Sequence, residues 1–243
     1  MRQNTIKKLN QVNQNFYIHN ADSFSQTRQQ AWQGWNDLQE YLPRNEMSKF
    51  LDIGCGNGRF LQFLNQKEIP YQSYSGIDTS KELLSYAEKT YSNNKVHFYQ
   101  QDLLELNHQS FSKNFDVIVS FGVFHHIPGL ETRQRLLNNL ARILNPEGLL
   151  IVSFWKFAEF TRFQKRTVNW SQLPEIDTSD LEEGDYLLNW QNSQWYRYCH
   201  FASNQEIEQL IEATDLTTIS DFRADGTNQK LNQYVVLKNM IST

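Results

Sequence analysis

The sequence predicts an α/β domain built on a doubly wound, mostly parallel seven-stranded sheet, with N-terminal helices before it and a lid insertion near its end. Three observations predict it. Short apolar runs alternate with segments of helical period from residue 50 to residue 154. One of those runs, FDVIVSF at Phe115–Phe121, is almost continuously apolar, as a strand covered on both faces must be. The first run passes through a glycine-rich turn into a helix, FLDIGCGNGRFLQFL at Phe50–Leu64. That turn lies where such sheets bind ligands, outside the carboxyl ends of the strands.

Residues 1–42 carry helical spacing: Ile6, Leu9, Val12 and Phe16 share one side, a Ser/Asn/Asp-rich break falls near 20–25, and Trp32, Trp35 and Leu38 resume the pattern. This gives an N-terminal helical cap, 1–46, lying over the sheet. The core, 47–155, has its second strand at Ser73–Ile77, a third at Val96–Tyr99, the fourth at Phe115–Phe121 and a fifth at Leu149–Phe154. A helix from about Leu130 to Leu144 turns Leu136, Leu137, Leu140 and Ile143 inward, and Asn145, Pro146 and Gly148 end it. Residues 156–200 break the alternation. In 201–243 a helical NQEIEQLIEATDL precedes two strands, 216–223 and 233–238, expected as an antiparallel pair at the sheet edge.

Composition sets the bounds. At 243 residues the chain has room for one domain with decorations, so 1–243 is read as a single unit. Lys+Arg of 23 against Asp+Glu of 27 gives −4, so nucleic acid would be held by a local basic patch and not by the protein's overall charge. Cys55 and Cys199 make neither a disulfide framework nor a metal-ligand spacing, which points to a reducing, cytoplasmic compartment and to no metal. No leader-like apolar segment and no membrane-length apolar run is present, so no membrane role is expected.

Gly54, Gly56 and Gly58 fall at alternate positions, G-x-G-x-G. This is neither the G-x-G-x-x-G of dinucleotide enzymes nor a phosphate-binding loop with its Lys. Such a turn lets backbone approach a nucleoside-bearing ligand closely. Asp78 ends the second strand about twenty residues further on, where an acid accepts from ribose hydroxyls. Asp78, Thr79 or Ser80 could equally cap the next helix. Asp52, Thr79 and Phe121, at or beside strand ends, join the cofactor-binding candidates. His125 and His126 follow the fourth strand at the active edge, as a general base or as structural residues. In the insertion, Lys156, Arg162, Lys165 and Arg166 face only Glu159, while Glu175–Asp185 holds six carboxylates and no cation. The insertion reads either as a solvated flap or as a substrate lid, its basic half near a phosphate backbone and Trp170, Trp190, Trp195 and Tyr196 available to stack or to pack.

FLDIGCGNG, GIDTS and the acidic QDLL at Gln101–Leu104 resemble, in order and spacing, the motifs of the Rossmann-like class I S-adenosylmethionine (SAM) methyltransferases. The resemblance implies SAM as cofactor, with Asp102 accepting from the adenine amine and Leu103 supplying a backbone N–H and an apolar wall; Asp102 as a cap for the next turn is the alternative. Two further segments, Y-x3-A-x2-FS-x-TR-x3-W from Tyr17 to Trp32 and RYCHF at Arg197–Phe201, are similar to the tRNA wobble-uridine carboxymethyl methyltransferases, with Cys199 in place of that pattern's second Tyr. This likeness implies methyl-ester formation on a modified wobble uridine. Arg28 would pair with the methionine carboxylate and Tyr17 wall the pocket, while Arg197, Tyr198 and His200 orient the acceptor carboxylate, which needs no general base. For an amine or phenol acceptor a base at His125 or His126 would matter more, and His126 is the catalytic candidate. The likeness implies tRNA as partner and a small zinc-binding activator subunit. A small-molecule O-, N- or carboxyl methyltransferase and a catalytically silent SAM-binding scaffold are the alternatives.

Overall fold

In a computed structural model of the protein, which describes residues 1–91, 93–111, 114–191 and 193–240, a 24-residue helix, α1 (Gln3–Gln26), is followed by the short α2 (Gly34–Leu38). The core then alternates: β1 (Lys49–Ile53), α3 (Arg59–Gln66), β2 (Ser73–Asp78), α4 (Lys81–Thr90), β3 (Val96–Gln100), β4 (Phe115–Ser120), α5 (Leu130–Arg142) and β5 (Leu144–Trp155). The insertion holds α6 (Thr161–Gln164), β6 (Thr167–Val168), β7 (Asp185–Leu188) and β8 (Arg197–His200). α7 (Asn204–Glu212), β9 (Thr217–Ala224) and β10 (Asn232–Lys238) follow, and residues 241–243 of the predicted C-terminal unit lie outside the described residues.

The main sheet has seven strands in the order β3-β2-β1-β4-β5-β10-β9. β1 to β5 are parallel, and β10 runs antiparallel between β5 and β9. The reversal of order at β1/β4 opens a crevice at the carboxyl ends, the switch point of a doubly wound sheet. Alternate residues of the central strands feed the two cores. Leu51, Ile118 and Leu150 pack with Leu136, Leu137 and Leu140 of α5 and Leu210 of α7. Phe50, Val119 and Ile151 pack on the other face with Phe60 and Leu64 of α3 and with Trp35 and Leu38 of α2.

Three expectations change. α1 runs through the break expected near 20–25, because Asn20 Nδ2 and Ser23 Oγ donate back to the carbonyls of Phe16 and Asn20 at 2.8 and 3.1 Å, so the side chains satisfy the helix instead of ending it. Of the two helices only α2 covers the sheet. α1 crosses the crevice and contacts β8 and α4. α5 stops at Arg142, and β5 begins at Leu144, with Glu147 at φ 61° where its N–H meets Asn239 O at 2.8 Å. β6, β7 and β8 form a separate three-stranded antiparallel sheet. No helix among the described residues is long and apolar enough to cross a membrane.

Candidate functional site

The cradle is made by the β1–α3 turn and the ends of β2 and β3. Gly54 sits at φ 73°, and a Cβ there would stand 2.2 Å from Val123 Cγ2, so only glycine closes the turn against the segment after β4. Gly58 precedes α3, and its missing Cβ clears the ring of Tyr91 and Ala87 of α4; it serves helix packing and does not line the crevice. Asp78 accepts from Gly56 N–H and Ser80 N–H, each at 2.8 Å. The helix cap is Ser80, whose Oγ accepts from Leu83 N–H, so the Asp78 carboxylate is tied to the glycine turn and faces the cavity. Burial raises its pKa against the pull of its backbone donors.

A cavity of about 950 Å³ extends along the strand ends, within the roughly 300–1,000 Å³ of small-molecule sites. At the β2/β3 end it is lined by Asp78, Thr79, Asp102 and Leu103. Asp102 caps the turn that follows it, Oδ1 accepting from Leu104 N–H at 2.9 Å, and its Oδ2 accepts from Asn10 and Gln14 of α1 at 2.7 and 3.2 Å. The middle is floored by Gly54, Gly56 and Asp52, with Phe121 as a wall. Asp52 is buried and held by the Tyr74 hydroxyl, and desolvation pushes it up to about 7.

At the β4/β5 end, Tyr17, Arg28, His126 and Arg197 converge. His126 Nδ1 lies 3.1 Å from the Tyr198 carbonyl and therefore carries the proton, leaving Nε2 to accept from the Tyr17 hydroxyl at 2.9 Å. Burial, and then Arg197, lower His126 to about 3, so it is neutral and both its nitrogens are engaged. His125 is buried with Nδ1 unpartnered and its ring 5.0 Å from that of Trp155. Arg28 stacks on Phe24 at 3.6 Å and is lowered to about 9 by burial and by Arg197. Arg197 is buried among Phe16, Trp155 and Trp190, its Nε unpartnered.

Tyr198 and His200 do not reach this site. Side chains alternate along β8, so Arg197 and Cys199 face the crevice side and Tyr198 and His200 the opposite one. There Tyr198 Oη and His200 Nδ1 each bond Asp185 Oδ1 at 2.7 Å, and His200 Nε2 bonds Glu206 at 2.7 Å. Arg133, almost fully buried, bridges Glu206, Glu182 and the Ile127 carbonyl, which locks the small sheet to α5 and α7. Burial disfavours charge on His200, yet its two carboxylates raise its pKa.

The insertion is not a loose flap. Lys156 is buried, donating to Ala202 O at 2.8 Å and Asn204 Oδ1 at 3.0 Å, so it leaves the expected basic group. Arg162, Lys165 and Arg166 are exposed. In the acidic half Arg2 binds Asp177 and Asp180, Arg133 holds Glu182, and β8 holds Asp185. Trp190 lines the cavity, whereas Trp195 stacks on His19 at 3.9 Å and Trp170 packs with Leu9 and Ile176. Sequence reasoning missed Arg59, which lines the cavity beside Trp32 and Trp35 at 4.9 and 5.3 Å, and the buried Asp225 that accepts from Gly34, Asn232 and Tyr234. A single Arg after the glycine turn marked the first; nothing local marks the second, whose partners lie on α2 and β10.

A parallel sheet opened at its carboxyl edge by a glycine turn, with an acid at the end of the neighbouring strand, defines a nucleoside-binding protein of the doubly wound class. A "Methyltransferase domain" family model matches residues 51–150. A protein of Encephalitozoon cuniculi named "Putative methyltransferase" is 30% identical over 227 residues, covering 92% of this chain and 93% of that one. Human "Probable tRNA methyltransferase 9B" is 31% identical over 156 residues, 63% of this chain; the match spans 31% of that protein's length. A chain in the complex between the Haloferax volcanii Trm112 methyltransferase activator and a methyltransferase has a TM-score of 0.63 at 15% identity, covering 95% of this chain and 98% of that chain, a likeness of fold. The chain belongs to the class I SAM-dependent methyltransferases, and its cofactor is SAM. The cradle fits that cofactor: Asp78 and the glycine turn face the cavity, and Arg28, Arg59 and Arg197, none with a salt bridge among the described residues, stand along it.

Proposed function

We propose that the chain methylates the carboxylate of a carboxymethyl-modified wobble uridine in tRNA, forming a methyl ester. The observation that carries this reading is the pair Arg28 and Arg197, one half-buried and one buried, which share the β4/β5 end of the cavity with no salt bridge to either among the described residues. SAM brings a single carboxylate, and Arg59, the third arginine on the cavity, donates to the Gln30 carbonyl at 3.4 Å beside Trp32 and Trp35, so the second cation at the β4/β5 end calls for an anionic acceptor. The family likeness to a tRNA methyltransferase supports the choice of acceptor.

When bound, SAM supplies a methyl group on a sulfonium, transferred by in-line displacement. In this reading Asp78 takes the ribose hydroxyls, Asp102 and Leu103 the adenine, and Arg28 the methionine carboxylate, while Gly54 and Gly56 admit the backbone approach. Asp52, Thr79, Tyr17 and Phe121 complete the walls. Arg197 orients the acceptor carboxylate, whose oxygen forms the new C–O bond as the S–C bond breaks toward sulfur. A carboxylate, with a pKa of about 4, is already ionised at neutral pH, so no proton has to be moved. A neutral His126 with both nitrogens bonded suits that requirement, serving to fix Tyr17 against β8. The chain's part is alignment and exclusion of water, for which α1 and the insertion 156–200 enclose the core 47–155.

A small-molecule carboxyl methyltransferase is the second reading, favoured by the enclosure of the cavity by Trp190 and Phe24. The deciding experiment is methyl transfer from labelled SAM to bulk tRNA, with and without a Trm112-type activator such as the one bound in the Haloferax volcanii complex. Mild alkali follows. Alkali-labile label in tRNA supports the ester; no label in either arm, with SAM binding intact, refutes the tRNA reading.

A further inference from the structure

We propose that the exposed cations of α6 and the turn after it, Arg162, Lys165 and Arg166, form the surface on which the phosphates of an RNA strand lie while one nucleotide enters the cavity past Phe163. The inference rests on the tRNA reading above and assigns the part of the protein that holds the backbone.

α6 follows β5 directly and has two sides. Phe163 turns inward: it lines the cavity and meets the Trp155 ring edge-on at 4.8 Å. Arg162 and Arg166 lie 4.6 and 5.9 Å from the centroid of the Phe163 ring, with Lys165 between them in sequence and exposed. Arg162 also reaches the opposite rim, where its Nη2 lies 3.8 Å from the position of a Cβ on Gly226, another residue of the cavity wall. The cations therefore edge the opening between α6 and the β9–β10 turn.

Their charge is left outward. Among the described residues none of the three has a salt bridge, and the acid nearest in sequence, Glu159, is held by Arg223 at 2.8 Å. Of the insertion's acids, Asp177 and Asp180 pair with Arg2, Glu182 with Arg133 and Asp185 with His200, while Glu175 and Glu183 are exposed. A chain of net charge −4 thus pairs most of the anions of 175–185 with cations from elsewhere and leaves Arg162, Lys165 and Arg166 together at one mouth. Cations stacked on an aromatic ring beside a planar, aromatic-walled cavity fit a nucleic acid strand: phosphates set the register, and a base taken out of its stack finds Trp155 and Phe163 inside. An acidic peptide offers the charge without the planar group, and a small acceptor enclosed in the cavity would make no use of cations outside it.

The test is fluorescence anisotropy of a labelled, unmodified anticodon stem-loop RNA with the full chain saturated in S-adenosylhomocysteine, titrated at about 50 to 200 mM salt. The wild type is expected to bind with affinity falling steeply with salt. K165Q/R166Q and R162Q/K165Q/R166Q are expected to lose roughly 0.7 in the log–log salt slope for each phosphate contact removed. K89Q, an exposed cation on α4, should match the wild type. K165Q/R166Q spares Arg162, so it reads the surface even where loss of Arg162 disturbs Phe163, and unchanged S-adenosylhomocysteine affinity certifies the cofactor site. Wild-type slope and affinity in both variants overturn the surface and leave the tRNA reading standing. Salt-indifferent or absent binding by the wild type overturns both.

Discussion

The guanidiniums of Arg28 and Arg197 lie 5.1 and 5.6 Å from the centroid of one ring, that of Trp190. Arg28 comes from the segment after α1 and Arg197 from β8, so two parts of the chain far apart in sequence bring like charges to the same indole. Burial and mutual repulsion hold Arg28 down at about 9, a cost that anionic ligands relieve.

The two cations should separate by phenotype. Arg28→Ala is expected to weaken S-adenosylhomocysteine binding by roughly ten- to a hundredfold, the loss of a charge-assisted pair. Arg197→Ala should leave that affinity near wild type and lower kcat/KM by a similar factor. Calorimetry beside steady-state transfer distinguishes them; equal loss of cofactor affinity in both variants would sink the division of labour.

Asp78→Ala removes the acceptor for Gly56 N–H as well as the group placed for the ribose. Its cofactor affinity should fall about a hundredfold, and Asp78→Asn, which keeps an acceptor, should fall less. Wild-type calorimetric affinity in Asp78→Ala would falsify the assignment.

Asp52 gives a pH dependence of definite sign. Its folded pKa, about 7, lies above the ordinary value because of burial, with the Tyr74 hydroxyl opposing, so its contribution to stability is full below the unfolded carboxylate range and lost as pH rises through about 7. A cofactor bearing an ammonium should reverse that preference. Binding then expels a proton, and affinity should climb between about pH 6 and pH 8. In Asp52→Asn the profile should be flat in that window; a slope equal to wild type would show that another group is responsible.

His200 has the same direction of shift for a different cause. Despite desolvation, Asp185 and Glu206 raise its pKa above the ordinary 6.5, and Arg133, Glu182 and Tyr198 complete the charged and titratable groups of that network. The stability it provides is full below about pH 6.5 and lost as pH rises through the raised value. The difference in Tm between wild type and His200→Asn should therefore shrink above that value, measured by calorimetry across pH; a constant difference would assign His200 a packing role only.

Arg2→Ala should speed the release of labelled S-adenosylhomocysteine severalfold in a chase experiment, because Arg2 fastens α1 to Asp177 and Asp180 of the insertion while Asn10 and Gln14 sit on Asp102. An unchanged release rate would mean that α1 does not gate exchange.

The central sheet was legible because periodicity and glycine are local signals: β1 to β5, the turn at Gly54–Gly58 and the antiparallel pair β9/β10 can be read from neighbouring residues alone. What escaped depends on facing. RYCH reads as one block, yet strand alternation sends Arg197 and Tyr198 to opposite sides. Lys156 reads as basic lid, yet it closes on Ala202 and Asn204 nearly fifty residues away. The acids of 175–185 read as unpaired because their partners, Arg2 and Arg133, are distant in sequence. Asn20 and Ser23 carry breaker chemistry that a helix can absorb when their side chains turn back to its own carbonyls.

Four of the six tryptophans, Trp32, Trp35, Trp155 and Trp190, stand on the cavity wall. Intrinsic emission is therefore weighted toward the cavity, and an anion arriving between Arg28 and Arg197 would stand beside the indole they share. The protein carries its own optical reporter, one that needs no label and no knowledge of the acceptor. Candidate acceptors can be screened by their spectral shift before any turnover is seen.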